Sequence, residues 1–196
     1  GQVGTRFTGT RRLLSRPLPG DWGLAATENG LRVTRPLSPG RIPVDGSRTS
    51  QLVSGLLMAL PGLTADSELV LTGPLASRPY VDLTLAVLER CGIVIEESPG
   101  GFFVPGGQRF RPVPIEPEPD WSAAAFWLAI AALGCPVEVT GLRRDSLQGD
   151  RAAGALCRCL PDVVDLTDIP DLLPPLALAA ALRPGTETRF TGAARL

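Results

Sequence analysis

The 196 residues suffice for one large domain or parts of two, and 44% hydrophobic residues against 5% aromatics, with 22 Gly and 20 Pro, point to many short elements packed through Leu, Val and Ala. A net charge of −1 supplies no global field toward nucleic acid or a membrane surface, so neither is an expected partner. All 19 basic residues are Arg, so the absence of Lys and His excludes histidine acid–base catalysis, lysine Schiff bases and Ser-His-Asp triads within this chain.

A strand ending in Thr-Gly is predicted first at Thr5–Gly9, followed by a polar turn, SRPLPG, from Ser15. From Asp45 to Pro61 a cluster of hydroxyl and amide side chains runs into an apolar helical pattern. Leu52, Val53, Leu56, Leu57 and Leu60 form one stripe, and the first turn follows Ser47, Arg48, Thr49, Ser50 and Gln51. Free N–H groups and the positive end of the helix dipole meet there, which suits an anion; an ordinary N-cap accounts for the same residues.

A second Thr-Gly strand, Glu68–Gly73, leads into the turn SRPYVD from Ser77 and a helix from Val81 to about Cys91. IVIEE and GFFVPGG then read as a hairpin turning at Pro99, Gly100 and Gly101. Trp121 to Leu133 is too short to cross a bilayer and reads as a core helix, with Asp120 as its cap. A third Thr-Gly strand at Val137–Gly141, a turn from Ser146 and a helix from Gly149 to about Leu160 follow. The last unit opens at Val163, continues through the Ala/Leu-rich helix after Asp171 and ends in a fourth Thr-Gly strand, Thr188–Gly192.

The recurrence describes a repeated βαβαββ unit and an α+β fold. Two units run short: the second helix is missing after SRPLPG, and the strand pair after Leu160 is missing. Cys91, Cys135, Cys157 and Cys159 make no CxxC pair and read as reduced thiols of a cytoplasmic protein. No apolar run reaches the roughly 18 residues that a membrane helix needs.

Four strings, VDGSRTSQLVSGLL from Val44, LASRPYVDLTLAVL from Leu75, SLQGDRA from Ser146 and DIPDLLPPLALAAA from Asp168, resemble in that order the EPSP synthase family. The text around Asp120–Phe126 and the closing GAARL extend the resemblance over essentially the whole chain. It implies two domains built of βαβαββ units in an inside-out α/β barrel, with residues 1–118 in one and 119–196 in the other. It also implies transfer of the enolpyruvyl group of phosphoenolpyruvate to the 5-hydroxyl of shikimate 3-phosphate, without cofactor or metal, by a monomeric enzyme.

On the same resemblance, Thr49, Ser50, Gln51, Ser77 and Tyr80 match residues that bind shikimate 3-phosphate, with Thr49 standing where the family has Ser. Arg16 and Gln51 match residues that hold phosphoenolpyruvate, and Asp171 matches the carboxylate that accepts the 5-hydroxyl proton. Bland readings stand beside these: Arg16 and Ser77 precede Pro in turns, and Asp171 suits a helix N-terminus. Ser146–Asp150 reads as a tight turn and is left out of the site. The family's site also uses lysines, which this chain lacks, so this stretch alone is expected to be inactive. The alternatives are the sister enzyme acting on UDP-N-acetylglucosamine and a non-catalytic anion-binding remnant.

Overall fold

The computed structural model describes residues 4–8, 22–47, 49–183 and 185–194. Strands β1 (Arg6–Thr8), β2 (Leu24–Thr27) and β3 (Gly30–Val33) form an antiparallel sheet with β3 in the middle. The β2–β3 hairpin, turning at Glu28 and Asn29, was not expected from the sequence, although Asn-Gly at its end is a hairpin signal.

The next segment is one complete βαβαββ unit. Strand β4 (Gly40–Val44) leads through helix α1 (Ser50–Ala59) and a 3-10 turn at Leu60–Gly62 to strand β5 (Ser67–Leu71), which pairs with β4 in parallel. Helix α2 (Arg78–Arg90) then carries the chain to the hairpin of β6 (Glu96–Ser98) and β7 (Gly101–Val104), and β7 closes antiparallel on β5. Most of the predicted apolar stripe packs as read, because Val53, Leu56, Leu57 and Leu60 are buried with Leu69, Phe102 and Val104, whereas Leu52, at the stripe's start, is exposed. Each such side chain contributes roughly 1.5–3 kcal/mol of burial free energy.

The second half has its own core. Helix α3 (Trp121–Ala132), a 3-10 turn at Gly149–Ala152 continuing into α4 (Ala153–Leu156), and helix α5 (Leu173–Ala181) enclose Ala125, Ala129, Val164, Leu166, Leu172 and Leu176. Strand β8 (Val163–Asp165) pairs in parallel with β9 (Arg189–Thr191), giving a βαβ unit with α5 as the crossover. The whole is α+β.

Two expectations are corrected. Residues 137–141 form no strand, because a strand exists only as a pairing and no ladder partner lies beside them among the described residues. The helix after Gly149 is tighter and ends at Leu156 rather than near Leu160. No described helix is long and apolar enough to cross a membrane.

Candidate functional site

Because β4 and β5 run in parallel, the loops leaving their carboxyl ends lie side by side. The two loops are tied by Ala76 N–H donating to Gly46 O at 3.0 Å and Thr72 N–H donating to Val44 O at 3.0 Å. One loop starts α1 and the other starts α2, so Thr49–Gln51 and Ser77–Tyr80 share one edge of the sheet. Thr49 is the N-cap of α1: its Oγ1 accepts from Gln51 N at 3.2 Å, Ser50 is buried and Gln51 is exposed. Cap and anion site remain compatible, since one hydroxyl satisfies only one of the free N–H groups there.

Ser77 is buried and has φ 53° and ψ 46°, the only described non-glycine residue with positive φ. A left-handed seryl backbone persists where its surroundings over-determine it. Here they do so from the other half of the chain: Ser77 N–H donates to Thr167 O at 3.3 Å, and Arg78 N–H donates to Asp168 Oδ1 at 3.2 Å. The Arg78 guanidinium points away, forked on Glu97 at 2.8 and 2.9 Å with Nε on Asp82 at 2.6 Å.

The 166–171 loop leaves the carboxyl end of β8 just as the 45–50 loop leaves β4. In each, a strand-end Asp accepts from the N–H two residues on, Asp45 from Ser47 and Asp165 from Thr167, both at 2.9 Å. The ladders share a register, Val44 opposite Leu71 and Val164 opposite Phe190. Counting on from Asp45 and Asp165 puts Gln51 and Asp171 at the same place in the repeat. Gly192, at φ +70°, leaves no space for a Cβ, which would lie 2.4 Å from Asp165 Oδ1 and 2.5 Å from Thr167 Oγ1.

Three elements converge on Tyr80. Its hydroxyl lies 2.7 Å from Asp150 Oδ2 and 3.0 Å from Asp171 Oδ2, and Ser122 Oγ donates to the same Asp150 oxygen. Burial first, then the hydrogen bond to Asp150, push the Tyr80 phenol far above its ordinary range; the charges of Asp150 and Asp171 add to this. Asp171 is exposed and borders a groove of about 500 Å³ lined also by Asp120, Ser122, Ala123, Phe126, Pro170, Leu173 and Pro174.

Ser77, Tyr80 and Asp171 are thus brought together, and Thr49–Gln51 form the adjoining start of α1. Arg16 lies outside the described residues. Asp120 caps α3, accepting from Ser122 N at 2.9 Å, as expected. Asp150 and Ser122 were missed. The turn reading of Ser146–Asp150 holds, since Ser146 Oγ accepts from Gln148 N at 3.0 Å, yet the turn also delivers Asp150 to Tyr80. Gly149 was the available signal: a glycine beside a carboxylate allows close backbone approach.

A sequence profile described as EPSP synthase (3-phosphoshikimate 1-carboxyvinyltransferase) matches residues 25–160. The chain is similar to proteins named 3-phosphoshikimate 1-carboxyvinyltransferase in three organisms. That of Idiomarina loihiensis is 48% identical over 124 residues, covering 62% of this chain and 29% of the relative. That of Clostridium kluyveri is 36% identical over an aligned length of 220, covering 97% and 51%. That of Methanocorpusculum labreanum is 33% identical over 221, covering 98% and 52%. The chain spans about half the length of the latter two, and both alignments are longer than its 196 residues, so these relatives carry residues opposite gaps in this chain.

Proposed function

Since the chain belongs to the EPSP synthase family, we propose that it serves enolpyruvyl transfer from phosphoenolpyruvate to the 5-hydroxyl of shikimate 3-phosphate, with release of phosphate. In this reading Thr49, Ser50 and Gln51 at the start of α1, with Ser77 and Tyr80 at the start of α2, hold shikimate 3-phosphate. Gln51 and Arg16 hold phosphoenolpyruvate; a guanidinium fork fits a carboxylate or phosphate with two parallel bonds. Asp171 takes the proton of the 5-hydroxyl as that oxygen adds to the activated enolpyruvyl carbon, and the tetrahedral adduct then expels phosphate.

Residues 1–118 and 119–196 belong to separate domains of an inside-out barrel arrangement, acting as a monomer in the cytoplasm, with neither nucleic acid nor membrane as partner. The observation that carries the proposal is the meeting of the α2 start with Asp171, across 91 residues of sequence, at one hydroxyl. It puts a carboxylate beside residues suited to bind the substrate.

Calorimetric titration with shikimate 3-phosphate, followed by an assay of phosphate release with phosphoenolpyruvate added, tests the reading. Shikimate 3-phosphate is expected to bind. In the complete protein, Asp171→Asn is expected to keep affinity within several-fold and to lower the release rate by about 10²–10⁴, the range for losing a positioned acid–base group. Absence of binding sinks the proposal. Binding without turnover is the outcome expected of this stretch alone; the same outcome in the complete protein reduces it to an anion-binding module.

A further inference from the structure

Tyr80 is the only tyrosine in the chain, and its hydroxyl faces two carboxylate oxygens. A phenol has one proton and donates to one of them at a time. Asp150, 1% exposed, is the deeper of the two, and its Oδ1 is buried without a hydrogen-bond partner. An under-satisfied buried carboxylate is destabilising, and an apolar residue of similar size serves packing better. Packing therefore gives no reason for an acid here.

We propose that Asp150 is a positioning residue for proton transfer to Asp171, acting through the Tyr80 hydroxyl. The inference rests on the role proposed above for Asp171. With Asp171 anionic, Tyr80 donates to it, while Ser122 supplies Asp150 with a donor. When the substrate O–H bond breaks and the new O–H bond forms on Asp171, that carboxyl becomes a donor toward Tyr80. Tyr80 then turns its own proton to Asp150. One proton moves in all, from substrate to Asp171, and the phenol never loses its own. Asp150 is the acceptor that lets the hydroxyl turn.

Tyr80 ionisation reads this arrangement directly. The groups facing the phenol are Asp150 from the 149–152 turn and Asp171 from the segment after β8; around them, Ser122 donates to Asp150, Asp168 accepts from Arg78 N, and Asp120 accepts from Ser122 N. Arg78 on α2 is engaged by Asp82 and Glu97, and Arg151 reaches Arg144 O.

In the folded wild-type chain, tyrosinate absorbance reports Tyr80 alone. Its midpoint is expected well above the ordinary value of about 10, and Asp150→Asn is expected to lower it by more than about one pH unit. A wild-type midpoint at the ordinary value overturns the proposal without any substitution. So does an unmoved midpoint in a variant that keeps native circular dichroism. Neither measurement needs substrate, so they fail independently of the proposed activity.

In turnover by the complete protein, Asp150→Asn is expected to lower kcat by roughly ten- to a hundredfold with KM for shikimate 3-phosphate nearly unchanged. The asparagine NH2 donates to Tyr80 and holds the phenolic proton on Asp171. In a Tyr80→Phe background the same substitution is expected to change nothing further; equal losses in both backgrounds overturn the inference.

Discussion

Gly149 has no room for a side chain: a Cβ there would sit 2.9 Å from Pro79 Cβ and 3.0 Å from Pro79 Cγ, with Asp168 O at 3.3 Å. The turn bearing Asp150 lies flat against the first turn of α2, and a methyl group would lift it. Pro79 cannot swing aside, because its ring is fixed to the backbone. Gly149→Ala is expected to cost about 1–3 kcal/mol by urea denaturation, the range for overpacking a close contact. It should also bring the Tyr80 ionisation midpoint down as Asp150 withdraws. Wild-type stability together with a wild-type midpoint contradicts this account. The same position shows why part of the site was hidden. Thr49 was legible because a cap acts on the N–H two residues on, whereas Asp150 meets Tyr80 across 70 residues.

Helices and the hairpin were readable for a similar reason. The stripe from Leu52 to Leu60 and the turn at Pro99–Gly101 are local patterns, and α1 and the β6–β7 hairpin formed where they pointed. Residues 137–141 have strand composition, but composition does not provide a partner. Besides the packing of Phe102 and Val104 in the shared core, Arg78 links the hairpin to α2 by forking on Glu97 of β6. The hydrogen bonds from that guanidinium, aided by its charge and opposed by slight desolvation, hold the Glu97 carboxyl below the ordinary carboxylate range. A depressed folded-state pKa gives stability that is present above the unfolded value of about 4.3 and lost as pH falls through the folded value. With side-chain exposures of 38% and 55% the pair is well solvated, so its worth is below about 1 kcal/mol. Glu97→Gln is therefore expected to lower stability slightly at neutral pH, with the difference fading below about pH 4. A constant offset in denaturation midpoints from acid to neutral pH argues instead for lost packing.

At the scale of the molecule, two buried clusters, one from Ile42 to Val104 and one from Ala125 to Ala179, are joined by a segment without helix or strand from Pro105 to Asp120. Among the described residues, the polar contacts between the halves include Ser77 with Thr167, Arg78 with Asp168, and Tyr80 with Asp150 and Asp171. Such contacts contribute about 1 kcal/mol each at most when neutral, and somewhat more when charged, so the two halves are coupled modestly. A ligand held by the starts of α1 and α2 on one side and by Asp171 on the other adds its binding free energy to that coupling. At a hundred times its Kd it stabilises the joined form by about 2.7 kcal/mol relative to a separated form that cannot bind it. Arg109, followed by the exposed Phe110, offers a trypsin site in the connecting segment. If cleavage there requires the halves to part, shikimate 3-phosphate should slow it by up to about a hundredfold at that concentration, and phosphate alone should slow it less. Cleavage at the same rate with the ligand demonstrably bound means that the two sides are not joined through it, and the site then resides on the α1 and α2 starts alone.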